Sequence, residues 1–597
     1  MIYKVIFNTL NFLQSPYSKY YFPNFQLYHT FVLQNNKKQF LLVAVIALAI
    51  LTSCKSVPSP EQVKVNPSPM AVVGDKVNVD ITGTFPEKKF AKKGVLTVTP
   101  VLKCGDQEIL GEPVTYVGEK AKENGTVVNC KEGGAYRQHA TFPYNGAMDK
   151  NTKLFLRFEA KNGKKAVEIP EQLIAEGLNA TSKLVKAEDN KAQITPDKFQ
   201  RVIQQTQEAD ILFLIQQANL RSSETSSQQM KDLQAAIQEA NANERKAIHS
   251  LEVAGYASPD GAQALNEKLA KSRQDVSQKF LAKDLKKNKI DQAIESEITA
   301  EDWEGFKAAL ENSNIQDKDL VLRVLSMYSD PEERETQIKN IAAAYKNIAD
   351  EILPALRRSR LILTTDLIGK SDDEITALAK NDPAALNVEE LLYAATLTND
   401  RAEKIRIYKK VTEQFPNDFR GFNNLGMVYM QEGNVTEARR CFQSALQIEP
   451  NNPDVNYNAG VAAMADGDLK KAEEHLGKAA GTQANLSAAM GTLYTMKGDY
   501  KQARGAYGQS ATNNAAVQQI LNEDYAGAKK TLEAVAEPNA TTAYLKAVVA
   551  ARTNAKANVL SNLKNAVAQD PSLKAKAASD VEFAKFAEDA EFAAIVK

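Results

Sequence analysis

Small residues in the last third of the 597-residue chain recur at a fixed interval. Gly426 and Gly460, Gly433 and Gly467, Ala438 and Ala472, and Pro416 and Pro450 are each 34 positions apart, and the spacing shortens to 31 from Gly460 to Gly491 and from Gly467 to Gly498. Such an interval holds two helices and their turns, with small residues where the helices touch. One helix pair cannot bury its apolar face alone, so the pattern commits residues 371–597 to a stack of pairs, an α-solenoid. The chain is also too long for a single core, so the residues before 371 form domains of their own.

The unit RGFNNLGMVYMQEGNVTEARRCFQSALQIEPNNP resembles a tetratricopeptide repeat, with Gly426, Tyr429, Gly433, Ala438, Phe442, Ala445 and Pro450 in the signature places. A weaker unit, LYAATLTNDRAEKIRIYKKVTEQFPND, precedes it and carries Lys404 where the usual alanine would be. YKQARGAYGQSA and YAGAKKTLEAVA follow as shortened units. The resemblance implies a surface that takes extended peptides or helices of protein partners.

Two other patterns lie upstream. Over residues 62–186, VNVDITGTF, VLTVTPVL and TKLFLRFEA alternate or run in β-branched and aromatic residues between Gly, Pro and Asn turns, which predicts an all-β, sandwich-like domain. Over 190–370 strands and helices alternate. ADILFLIQQANLR reads as a strand, and QQMKDLQAAIQEANAN as an amphipathic helix with Met230, Leu233 and Ile237 on one face. SLEVAGYA is the next strand, and ALNEKLAKSRQDVSQKFL a second helix carrying Leu265, Leu269, Val276 and Phe280. A helical insertion at about 284–356 delays the last strand, RLILTTDLI. The expected fold class is therefore multidomain: β-sandwich, central α/β domain with helical insertion, and α-solenoid.

Within the central domain, LEVAGYASPDGAQALNEKLAKSRQDV resembles the C-terminal OmpA-like domain, whose familiar role is non-covalent binding of peptidoglycan. Gly255, Tyr256, Ala257, Gly261, Asn266, Leu269 and Arg273 match the family pattern, but its aspartate position holds Ser258. The resemblance implies that Arg273 pairs with the free carboxylate of the diamino acid in the stem peptide, while the aspartate would engage its ammonium. Ser258 brings no charge to that second task. Asp260, two residues on, is the candidate substitute, and it equally fits the third position of an ordinary type I turn in SPDG. The candidate wall-binding set is Arg273, Asn266, Ser258, Asp260, Gly255 and Gly261. WEGFKAAL, DPEERETQIK and ILPALRRSR resemble the insert of OmpA-like proteins from the Bacteroidetes group. Arg357, Arg358 and Arg360 form a basic cluster that is either solvated or aimed at an anionic wall polymer, lipid head group or acidic partner. Trp303 and Phe306 read as core.

Near the start, Lys37 and Lys38 precede a run of 12 apolar residues, 40–51, whose last residue opens Leu51-Thr52-Ser53-Cys54. The run has the size of a secretory signal core, and its end resembles the lipobox of bacterial lipoproteins. The resemblance makes Cys54 the lipidated residue, residues 1–53 a signal region with an upstream extension, and 54–61 a proline-rich tether. No acidic run follows Cys54, which suits the periplasmic face of the outer membrane. Lys plus Arg and Asp plus Glu both number 74, so no field favours nucleic acid. Cys104 and Cys130 can form a disulfide or remain two buried thiols. His29, His139, His249 and His475 are scattered and no CxxC occurs, so neither a metal, a cofactor nor a catalytic constellation is expected. The chain reads as a non-enzymatic, outer-membrane-anchored lipoprotein that contacts peptidoglycan and holds envelope proteins on its repeats. The alternative is an accessory subunit of an outer-membrane assembly or secretion complex whose OmpA-like domain has lost wall binding.

Overall fold

A computed structural model describes residues 56–149 and 151–597. Cys54 and the signal region lie outside the described residues. The chain divides into two compact units, one formed by the residues up to Ile194 together with Gly426–Lys597, the other by Thr195–Leu425.

In the first unit, residues 61–179 form two sheets. One contains β1 (Glu61–Asn66), β2 (Met70–Val73), β3 (Lys76–Phe85), β8 (Gly134–Pro143) and β12 (Leu178–Asn179); β3 pairs with β1 and β2 as well as with β8. The other centres on β4 (Gly94–Cys104) and β9 (Lys153–Asn162). Around them lie β5 (Gln107–Leu110), β6 (Val114–Gly118), β7 (Thr126–Val128), β10 (Lys165–Val167) and β11 (Gln172–Glu176). Alternation in β8 sends Tyr136, Gln138, Ala140 and Phe142 inward, into one core shared with Val79 and Ile81 of β3, Leu96 and Val98 of β4 and Leu156 of β9. The buried amide of Gln138 is satisfied by the Val98 and Glu112 carbonyls and by the Tyr136 hydroxyl. Of the two cysteine alternatives, the structure holds separate buried thiols: Cys104 and Cys130 are not bonded to each other. Cys104 Sγ donates to the Ala147 carbonyl at 2.6 Å, while Cys130 lies beside Glu119, its thiol pushed up chiefly by burial.

The helical region of this unit repeats one turn chemistry. Gly433, Gly467 and Gly498 take positive φ of 73°, 81° and 82°, and the following Asn434, Asp468 and Asp499 each cap the second helix of a pair by accepting a main-chain N–H. One of the two periodic glycine series, Gly433, Gly467 and Gly498, thus supplies the left-handed residues between paired helices. At the next turn Glu523 occupies the same conformation with φ 61°, which is why no glycine marks that repeat. The sandwich and the solenoid also meet. Buried Glu582 accepts from Asn179 Nδ2 at 2.9 Å, from Thr181 Oγ1 at 2.7 Å and from the Arg552 guanidinium, and Ser182 Oγ donates to the Val72 carbonyl.

The second unit holds a four-stranded sheet in the order β13 (Val202–Leu212), β16 (Arg358–Ile368), β14 (Lys246–Tyr256), β15 (Glu295–Thr299), with only the β14–β15 pair parallel. Helix α1 (Gln228–Ala242) buries Met230, Leu233 and Ile237 as its periodicity predicts, with Ser227 as N-cap. Three expectations need correction. β13 starts eight residues before Asp210, in the polar run VIQQTQE, because it is held by a full antiparallel ladder to β16 rather than by apolar alternation. ESEIT, placed inside the helical insertion, is β15, an exposed edge strand, so the helices of the insertion begin at Trp303 and end at Leu356. Helix α2 (Gln263–Lys287) leaves Leu265 exposed and Leu269, Val276 and Phe280 half-buried, the last two against the core; it turns Asn266, Ala270, Arg273, Gln274, Ser277, Leu281 and Leu285 fully inward. The first repeat helices, Val388–Ala394 and Arg401–Gln414, pack in this unit too.

Candidate functional site

The unusual buried face of α2 has a steric cause at Gly255. A Cβ there would lie 2.2 Å from the Ala270 carbonyl oxygen and 2.7 Å from Gln274 Cβ, so β14 and α2 are in backbone contact. That approach leaves room for small and polar groups, and it brings Arg273 under the end of β14. The loop between the two elements is braced by Asn266, whose amide donates to the carbonyls of Ser258 at 3.1 Å and Gly261 at 3.0 Å. Asn266, 4% exposed, therefore shapes the loop from within.

Arg273 is 1% exposed. Its Nε donates to the Gln217 carbonyl at 3.1 Å and Nη1 to the Tyr256 carbonyl at 2.8 Å, and the guanidinium lies over the Phe213 ring. Burial pulls its pKa down to about 10, the neighbouring Arg357 acts in the same direction, and Asp260 opposes both. The Ser258 hydroxyl donates to the Asp260 carboxylate, Arg357 Nη2 reaches the same carboxylate at 3.2 Å, and Arg357 Nε donates to Ser258 Oγ at 3.3 Å. All six candidate residues converge at the end of β14 and the start of α2. Arg357 alone pairs with the Asp260 carboxylate there, and Arg273 is held by main-chain carbonyls.

Arg357 is the participant that sequence reasoning placed elsewhere. The basic cluster it belongs to is paired rather than open: Arg358 Nη2 bonds buried Asp302 at 2.7 Å and its guanidinium covers the Tyr256 ring, while Arg360 grips Asp210 through two bonds of 2.9 and 3.1 Å. Those pairs hold the insertion and the sheet together. The signal available in the sequence was the number of acidic residues the cluster would need, and Asp210, Asp260 and Asp302 come from three separate segments. From the insertion, Tyr345 also lies close enough to feel both Asp260 and Arg357. Trp303 and Phe306 meet edge to face, with Phe306 in the core of the insertion and Trp303 at its margin.

The helical pairs of the first unit share one packing rule. A Cβ on Gly426 would meet the Phe442 ring at 2.6 Å, on Gly460 the Leu476 side chain at 2.7 Å, and on Gly491 the Tyr507 ring at 2.6 Å. In each case the filling side chain stands 16 residues after the glycine. Residues 429–496 match the tetratricopeptide repeat family. Solved structures with similarity to the chain include a tetratricopeptide repeat protein from Parabacteroides merdae, 16% identical, covering 40% of this chain and 93% of that one with a TM-score of 0.29. Pseudomonas aeruginosa PilF is 16% identical over 36% of this chain and 98% of its own, TM-score 0.28, and yeast Tom70 is 13% identical over 47% and 68%, TM-score 0.26. No curated protein matches.

Residues 429–496 are thus built as tetratricopeptide-type helical repeats. Among the described residues no three His, Cys, Asp or Glu side chains converge to hold a metal ion. His139 and His249 pair with the carboxylates of Asp80 and Asp366 on the surface, and His475 faces the Asn456 amide.

Proposed function

We propose that the protein is a non-enzymatic scaffold, anchored through Cys54 to the outer membrane on its periplasmic side, which presents its tetratricopeptide repeats to envelope proteins and takes a carboxylate of the peptidoglycan stem peptide at its central domain. The observation that carries the wall contact is the pairing at the loop after β14: Asp260 is bonded by Arg357, while the buried Arg273 guanidinium is bonded to main-chain carbonyls rather than to a carboxylate, so its positive charge is the one an incoming anion would answer. Asp260, steadied by Ser258, supplies the acidic group that the motif lacks at position 258. The lipobox-like LTSC and the proline-rich tether support the anchoring.

The second reading, an accessory subunit of an outer-membrane complex without wall binding, is favoured by one specific observation. Asp260 is already engaged by Arg357, and Arg273 is satisfied by two main-chain carbonyls. Co-sedimentation of residues 56–597 with purified sacculi separates the two. Wall contact predicts saturable binding that Arg273→Ala abolishes and that chemical blocking of the wall carboxylates removes. A folded protein that stays in the supernatant, and gains binding only as Arg357→Ser, places the domain in the second role.

A further inference from the structure

Residues 180–194, which leave the sandwich, pack against the first helices of successive pairs in the first unit. The contacts are made to main chain. The Lys186 N–H donates to Asn514 Oδ1 at 3.0 Å, and Asn514 Nδ2 donates to the Lys186 carbonyl at 2.8 Å. Asn458 repeats this with Gln193, both bonds at 2.7 Å. Between them Asn190, itself buried, donates to Thr492 Oγ1 at 3.2 Å. Leu184 and Val185 enter the apolar cluster of the last repeats, and Ala187 that of the middle ones.

The two asparagines occupy one structural position. Asn458 stands two residues before Gly460, and Asn514 two before Ala516, the small residue 16 positions ahead of Leu532 just as Gly460 is 16 ahead of Leu476. Asn424, two before Gly426, makes the same double bond within the second unit, with the N–H and carbonyl of Thr195 at 2.8 and 2.9 Å. A side-chain amide that satisfies both the donor and the acceptor of one residue reads main chain rather than side chain; Lys186 is extended where Asn514 holds it, and a 3-10 turn at Ala187–Asp189 follows before Gln193. Specificity then rests on the apolar anchors between.

We propose that the first-helix face from Asn458 to Asn514 is a main-chain-reading peptide site whose resident ligand is the chain's own segment 184–194, and that this segment excludes partner peptides from the face. Joined to folded structure at both ends, the segment acts at an effective concentration on the order of millimolar. A free peptide that would bind the open face at about 10 μM is thereby weakened roughly 100-fold. Partners of the scaffold must then use other surfaces of the repeats, or displace the segment first.

The test uses a fluorescent synthetic peptide of residues 183–194 and the protein spanning 56–597. Fluorescence anisotropy compares the wild type with a variant whose residues 184–194 are replaced by Gly and Ser at equal length, which removes Leu184, Val185 and Ala187 as anchors. The proposal expects binding to the replaced variant at least about 100-fold tighter than to the wild type, and its loss when Asn458→Leu and Asn514→Leu are added. Equal binding to both proteins, or none to a replaced variant with native helical content, overturns it. Should the replaced variant not fold, amide hydrogen exchange on the wild type decides. Protection of the Lys186 and Gln193 N–H groups comparable to the helices, with Gln193 selectively exposed by Asn458→Ala, sustains the proposal, and exchange at loop rates refutes it.

Discussion

Arg273 illustrates how a buried charge is kept. Its pKa of about 10 still leaves it protonated at neutral pH, so the domain carries a desolvated cation balanced by two carbonyl dipoles, an aromatic face and, at longer range, the Asp260 carboxylate. Because the folded value lies below that of a free guanidinium, the unfolded chain binds the proton more tightly as pH rises above about 10. Stability contributed by this group therefore rises with pH across that range, and at pH 7 the burial is a cost the fold retains. Asp260 offsets part of that cost and pairs with Arg357, so Asp260→Asn leaves Arg357 without its counter-charge in the neighbourhood of a buried Arg273. Since Asp260 and Arg357 keep some solvent contact, we expect a loss of roughly 1–3 kcal/mol, between surface and fully buried pairs, read as a lower urea midpoint of the second unit with unchanged m. A midpoint within error of wild type would mean that the carboxylate does not carry the balance. The candidate residues were legible because glycine, asparagine and arginine at those spacings report a strand-to-helix crossing. The part of Arg357 was not, because its partner lies 97 positions away.

At the level of elements, period and burial disagree in an informative way. Helix α1 buries the stripe its sequence announces, whereas α2 buries a polar one, because contact with β14 at Gly255 decides which face turns inward. β15 escaped notice for the opposite reason: its five residues, ESEIT, are polar but for Ile298 and mostly exposed, and only parallel pairing with β14 makes them a strand. In the solenoid, His475 ends the helix Leu469–Gly477 half-buried against Asn456. Burial holds its imidazole below the usual 6.5, and the nearby lysines act the same way against Glu474. A folded pKa below the unfolded one means the unfolded state takes the proton first, so the contribution is present above about pH 6.5 and is lost as pH falls through the window beneath it. His475→Gln should flatten the fall of the first unit's thermal midpoint between about pH 7 and 5.5. An unchanged slope in that variant would assign the acid sensitivity to other groups.

For the whole molecule, three sequence-defined domains become two compact units, since the sandwich shares its unit with most of the solenoid and the central domain with the first repeat helices. Calorimetry of residues 56–597 should accordingly resolve two cooperative transitions rather than three. Glu582 is the polar centre of the sandwich–solenoid junction, accepting from Asn179, Thr181 and Arg552. Glu582→Gln should cost about 1–3 kcal/mol and lower one of the two transitions while leaving the other in place. A shift of both, or a third transition in the wild type, would contradict the division into units.

By itself the sequence determined the helix pairs and their small-residue contacts, the alternating strands of the sandwich, and the strand-to-helix loop that gathers Ser258, Asp260, Asn266 and Arg273. These follow from local periodicity and turn chemistry, which act over a few residues. Only the tertiary structure decided that Arg357 enters that loop's site, that the sandwich leans on Glu582, and that Asn458 and Asn514 hold a segment more than 260 positions earlier in the chain. Those contacts join side chains whose separation in sequence carries no period, and they exist because buried charges and main-chain groups must find partners wherever the fold brings one within reach.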